Sequence, residues 1–262
     1  MDTRENVLKV DVDGAVMTVT LNRPAALNAF DEDLKEQLFQ LPHRIQSDDA
    51  IRAVIVTGAG RAFCAGADVN WFVSGPKDKR FRYEYRRIHD FFDQLERMEK
   101  PVIAAINGTC AGGGLELALA CDIRLAADSA AFLYPEHRIC LIPASGGCSR
   151  MINAIGASWT KYLVLTGERF DANFAHRIGL VHEVLAPDKL MERAGVLANQ
   201  LAACPPIAIG MAKHVININT SIDQHTARFV ERLGQSVLVK TDDHKEGVSA
   251  FIEKRKAVYV GR

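Results

Sequence analysis

One segment of this chain constrains the rest. Pro101-Val102-Ile103-Ala104-Ala105-Ile106 has the length and apolar composition of a buried strand, and Asn107-Gly108 follows it. A run of three glycines, Gly112-Gly113-Gly114, then opens an apolar stretch, Leu115-Glu116-Leu117-Ala118-Leu119, that reads as a helix. Three glycines are costly in a helix, so they are poor filler. Either the helix start packs too closely on a strand to admit side chains, or its backbone N–H groups approach a ligand. The second reading is favoured. Glu116 is the lone carboxylate in this run, and Leu and Ala on every side fit a solvated position poorly. Burial would raise its pKa and suit it to proton transfer.

The remaining pattern predicts an α/β core. Val7 to Val12 and Ala15 to Leu21 read as strands, with Asp13-Gly14 as the hairpin signal between them. Asp31 to Ile45 reads as a helix, with Pro42 implying an early end or a kink. Ala53 to Thr57 reads as a buried strand ending at Gly58-Ala59-Gly60, Phe81 to Met98 as an amphipathic helix, and Ile123 to Ala126 and Ala131 to Leu133 as short strands. Further on, Leu190 to Ala203, Ile207 to Ile218, Ile222 to Lys240 and Lys245 to Lys256 read as helices, punctuated by Pro205-Pro206 and Asp242-Asp243. The division is a core over residues 1–200 and a helical C-terminal region over 201–262.

Composition excludes several classes. Lys+Arg and Asp+Glu are both 32, which argues against a dedicated nucleic-acid binder. The six cysteines form no Cys-x-x-Cys pair and the eight histidines no ligand spacing, so no metal is expected. Cysteines among Ala, Gly, Leu and Ile read as reduced thiols in a cytoplasmic-type compartment. The charged start, Met1 to Glu5, shows no secretory signal, and no run reaches membrane-spanning length.

A second carboxylate, Glu136, follows Tyr134-Pro135, twenty residues after Glu116. Two carboxylates around one cleft can divide acid and base work. Phe63-Cys64-Ala65-Gly66-Ala67-Asp68 is a second glycine–alanine loop and could supply another N–H donor, although Asp68 alone is more often a helix cap. Gly58-Ala59-Gly60 fails as a dinucleotide fingerprint because Phe63 stands where the third glycine belongs. Ser145 fails as a nucleophile elbow because Pro143 replaces the first glycine. Gly146-Gly147 would open a helix with Ser145 near its cap.

At these residues the chain resembles the crotonase family, the enoyl-CoA hydratase/isomerase superfamily. The resemblance runs in order through Asn22-Arg23-Pro24, Leu27-Asn28-Ala29, Phe63 to Asp68, Ala105 to Gly108, Ala111 to Asp122, Pro135-Glu136, Ile142-Pro143, Gly146-Gly147, Glu246-Gly247 and Phe251 to Lys256. It implies a spiral of ββα units with two near-perpendicular sheets and a helical C-terminal trimerisation region, assembled as a homotrimer or a dimer of trimers. It also implies an acyl-CoA thioester substrate, no nucleic acid, no membrane, and no cofactor beyond the coenzyme A of the substrate. The backbone N–H groups of Ala67 and Gly113 match the family's oxyanion hole. Glu116 matches its water base and Glu136 its carbon acid, a pair that favours hydration. The alternatives are Δ3,Δ2-enoyl-CoA isomerisation through Glu136 alone, or a non-catalytic acyl-CoA- or RNA-binding homologue. Ala65, Asp68, Asn70 and Lys254 match coenzyme A-binding positions, although Asn70 replaces a common lysine and Lys254 could equally be a solvated helix charge. His137-Arg138 would place two polar groups beside the acid, and Trp71, Phe72 and Tyr134 could line the acyl pocket.

Overall fold

In the computed structural model, which describes residues 6–75 and 78–262, a strand–strand–helix unit repeats along the chain. A hairpin, β1 (Leu8–Asp13) and β2 (Val16–Leu21), and helix α1 (Glu32–Ser47) come first. Then β3 (Ala53–Gly58) and β4 (Ala62–Cys64) lead into α2 (Val69–Ser74) and α3 (Lys79–Arg97). The next unit is β5 (Val102–Ile106), β6 (Thr109–Ala111) and α4 (Gly113–Ala120). The fourth is β7 (Ile123–Ala127), β8 (Ala131–Leu133) and α5 (Ser149–Thr166). After β9 (Phe170–Asp171), α6 (Ala172–Arg177) and β10 (Glu183–Leu185), the chain is helical: α7 (Leu190–Ala202), α8 (Pro206–Asn219), α9 (Gln224–Leu238) and α10 (Asp242–Glu253).

Both hairpin strands and the first strand of each later unit join a six-stranded sheet, β1-β2-β3-β5-β7-β10, and the second strand of each later unit joins a smaller one, β4-β6-β8-β9. The central strands are buried on both faces, as their continuous apolar runs require. Val54, Val56, Val102, Ala104 and Ile106 face the main core with α1, α3 and α4. Ile55, Ile103, Ala105 and Leu125 alternate to the other face, where Leu190, Ala194, Ala198 and Ala202, each one turn apart on α7, cover them. In the small sheet β4, β6 and β8 are parallel, with Cys64 beside Cys110 and Ala111 beside Leu133. Their carboxyl ends therefore lie side by side, and so do the loops leaving them, the usual ligand edge of a parallel sheet.

Four local expectations change. The hairpin turn is Gly14-Ala15, one residue late, because β1 and β2 pair out to Asp13 and Val16. Helix α1 runs through Pro42 to Ser47. Pro42 costs roughly 3 kcal/mol, but Leu41 and Ile45 on that last stretch are buried, each contributing about 1.5–3 kcal/mol. Asp242-Asp243 is the first turn of α10, where acids suit the helix dipole and Thr241 caps. The third glycine-rich site behaves likewise: α5 starts at Ser149, and Gly146-Gly147 stay outside it.

Lys213 ties α8 to the core through Asp122 at 2.8 Å and the Leu95 carbonyl at 3.0 Å. All six cysteines are free, and burial pushes the Cys64 and Cys121 thiols up to about 12. Phe229, Leu233, Phe251 and Ile252 on α9 and α10 are exposed. Among the described residues no single helix is long and apolar enough to cross a membrane.

Candidate active site

The three loops that leave β4, β6 and β8 carry most of the predicted residues. Gly112, at φ +51°, ends the second loop, and its N–H donates to Leu133 at 3.1 Å. A Cβ there would stand 2.7 Å from Glu136 Oε1, so the carboxyl of Glu136 lies directly over this glycine. A Cβ at Gly114 would overlap the Cys64 carbonyl oxygen of β4. The glycine run thus answers both readings: Gly114 is there for close packing, while Gly112 makes room for an acid.

Gly113 lies between them with its N–H at the first turn of α4 and therefore free of the helix ladder. The first loop comes up against it. A Cβ on Gly66 (φ +92°) would sit 2.9 Å from the Gly113 nitrogen. Phe30 pairs with Ala67 as a parallel bridge, through Phe30 N–H to Gly66 O at 2.8 Å and Asp68 N–H to Phe30 O at 3.1 Å. That pattern leaves the Ala67 N–H on the opposite side from Phe30. Among the described residues neither the Ala67 nor the Gly113 N–H has a protein acceptor. Two free donors therefore stand on adjoining loops, and α4 points its positive dipole end at the same place.

Glu116 is 4% exposed. Burial raises its pKa, and the Ser145 and Gly147 N–H groups, donating to Oε1 at 2.7 and 3.1 Å, oppose that shift together with the charge of Arg150. Ser145 is therefore no helix cap; the loop before α5 offers its backbone to a carboxylate instead. Glu136 has no such support. Burial and the charge of Glu116 push its pKa up to about 7, against only its own N–H. Its Oε2 is buried and, among the described residues, has no partner. The environment thus separates the pair: Glu116 is equipped to be ionised, Glu136 to hold a proton near neutrality. An aromatic stack, Trp71–Phe81–Tyr85, approaches from α2 and α3, with centroids 5.5 and 5.2 Å apart. Burial and the Glu116 charge push the Tyr85 phenol up, and its hydrogen bond with Ser145 opposes them.

The sequence profile of the enoyl-CoA hydratase/isomerase family matches residues 11–262. The chain belongs to that family. It is 37% identical over 254 residues to the short-chain-enoyl-CoA hydratase of Clostridium acetobutylicum, covering 96% of each chain. Its likeness to 1,2-epoxyphenylacetyl-CoA isomerase of Escherichia coli is 36%, over 96% of this chain and 97% of that one. A crystal structure of enoyl-CoA hydratase from Bacillus anthracis matches with a TM-score of 0.94 at 37% identity, covering 98% of this chain and all of the other. The two sheets and ten helices described above are the fold of this family.

Within the family frame, the other predicted positions are distributed unevenly. Ala65 lies in the first loop, its N–H donating to Leu27 O at 3.0 Å. Asp68 caps α2, accepting from the Asn70 N–H at 3.1 Å and the Asn70 amide at 3.0 Å, and lies 3.7 Å from Arg23. Both side chains thus have structural partners. Lys254 ends α10 at φ +54°, with its side chain exposed, outside the group that converges on the glutamates. His137 and Arg138 are exposed rather than packed by the acid; the His137 ring lies on Gly167. Tyr134 does not line an open acyl pocket, being 1% exposed.

Arg150 escaped sequence reasoning. It donates to the Ser145 carbonyl at 3.0 Å and is held by Asp93 at 2.6 Å and Glu96 at 2.8 Å, both on α3. A Cβ at Gly146 would collide with its guanidinium. Arg150 thereby braces the loop whose two N–H groups solvate Glu116. Replacing it with methionine is expected to lower turnover roughly ten- to hundredfold and to move the acidic limb of the pH–rate profile upward, because the ionised form of Glu116 loses support. A profile with an unmoved acidic limb would mean that Arg150 only joins α5 to α3.

Proposed function

We propose that this protein reversibly adds water to a 2-enoyl-CoA thioester, giving a 3-hydroxyacyl-CoA. The observation that carries the reading is the pair of carboxylates with unlike support, Glu116 buried and Glu136 half-buried, beside two free backbone donors. The thioester oxygen would accept from the Ala67 and Gly113 N–H groups, which gain strength as negative charge develops on it. Glu116 takes a proton from water as the oxygen bonds to C3. The resulting enolate-like intermediate is protonated at C2 by Glu136. Electrons balance within substrate and water, so the step draws on no redox partner. Coenzyme A would run past Ala65, Asp68 and Asn70, with Lys254 as a further contact. The test is loss of the enoyl thioester's ultraviolet absorbance in water, with Glu116 and Glu136 variants as controls.

A second reading, movement of a double bond through Glu136 alone, is supported by the position of that carboxyl over Gly112 with one oxygen unpartnered. The proposal extends to a homotrimer through the exposed apolar face of α9 and α10. Sedimentation should give three times the chain mass or six; a monomer would remove this part.

A further inference from the structure

Resting on the hydration reading, we infer that the Tyr134 hydroxyl is a third catalytic group at the carboxylate pair, hydrogen-bonding the oxygen that joins or leaves C3. Among the described residues four buried side-chain polar atoms have no partner, and two of them, Tyr134 OH and Glu136 Oε2, belong to this one site. Buried hydroxyls are nearly always satisfied, so an orphan at a reactive centre points to a partner that arrives with substrate or water. Its place is fixed by Gly147. A Cβ there would stand 2.4 Å from Pro143 Cβ, 2.8 Å from Glu116 Oε1 and 3.0 Å from the Tyr134 oxygen, so both oxygens lie close against the same face of Gly147, and among the described residues the phenol bonds to neither the carboxylate nor any other group. An oxygen that hydrogen-bonds Glu116 on this side is therefore a neighbour of the phenol.

The chemistry follows from the proton count. In hydration the C3–O bond forms, Glu116 receives one water proton and Glu136 gives its proton to C2. Tyr134 keeps its own proton throughout. It donates a hydrogen bond to the oxygen, which turns the water's proton towards Glu116. In the reverse direction C3–O breaks, Glu116 returns the proton, and Tyr134 helps hold the leaving oxygen. Burial and the nearby charges of Glu116 and Glu136 raise the phenol well above its ordinary value, so it remains a donor.

The test is Tyr134→Phe, which keeps the buried ring. Water addition to crotonyl-CoA should lose on the order of tenfold or more in kcat, with KM within about twofold. The melting temperature should be equal or higher, because an unsatisfied polar atom is gone. Exchange of the α-protons of butyryl-CoA with deuterated water needs only Glu136 and the two N–H donors and should be unchanged, which a merely structural role would not predict. Hydration equal to that of the unmutated protein, or exchange falling in step with hydration, overturns the inference alone. No hydration by the unmutated protein overturns it together with the proposed function.

Discussion

Replacing Glu116 with glutamine is expected to lower water addition to an enoyl-CoA by about a thousandfold, the usual range for losing a positioned general base. The amide oxygen can still accept the Ser145 and Gly147 N–H bonds, which now hold Oε1 at 2.7 and 3.1 Å. The loop before α5 should therefore stay in place, and removing a charge that is 4% exposed should leave the melting temperature unchanged or raise it. What the amide cannot do is take a proton from water. Double-bond migration through Glu136 should survive the substitution. Hydration within threefold of the unmutated rate would sink the role of Glu116. Equal loss of hydration and isomerisation would point instead to a site that had collapsed.

How much of this was legible follows the reach of each constraint along the chain. The glycine run and the carboxylate after it could be read because the cause is local: glycines and a lone acid in an apolar helix are anomalous wherever they stand. Glu136 was legible by its frame, and the strand pattern explains its spacing, since β6 and β8 are successive neighbours in the small sheet. That sheet itself left little trace, because β4, β6 and β8 are only three residues each, too short for a period to show. Arg150 was invisible because its partners Asp93 and Glu96 lie 57 and 54 residues away and meet it only through folding. Ser145 misled for the same reason. Its neighbours looked like a helix start, yet the tertiary demand of Glu116, 29 residues earlier, uses its N–H. Pro42 misled in the other direction, a local rule outweighed by the burial of Leu41 and Ile45.

Replacing Glu136 with glutamine should abolish hydration, isomerisation and α-proton exchange together, each by about a thousandfold, because all three need a proton moved at C2. The pH profile separates the two proposed reactions before any mutation is made. Hydration starts with the proton on Glu136 and dehydration starts with it on Glu116, so both directions need one proton on the pair. Their kcat/KM values must therefore share one bell, as a fixed equilibrium constant requires, and the limbs belong to the pair rather than to either residue. With Glu136 held at about 7, that bell should fall roughly tenfold per pH unit above neutrality. Isomerisation through Glu136 alone begins with the ionised carboxylate and should not fall there. Stability gives an independent check with its own sign. The folded protein keeps the Glu136 proton that the unfolded chain releases, so stability is greatest below the unfolded value of 4.5 and declines as pH rises to about 7. At roughly 1.4 kcal/mol per tenfold change in proton affinity, discounted for partial contact with solvent, Glu136→Gln should stabilise the fold at pH 8 by about 2 kcal/mol. Denaturant titrations at pH 5 and pH 8 would show it as a gain at the higher pH only. An equal gain at both would place the cause in packing rather than in the buried charge.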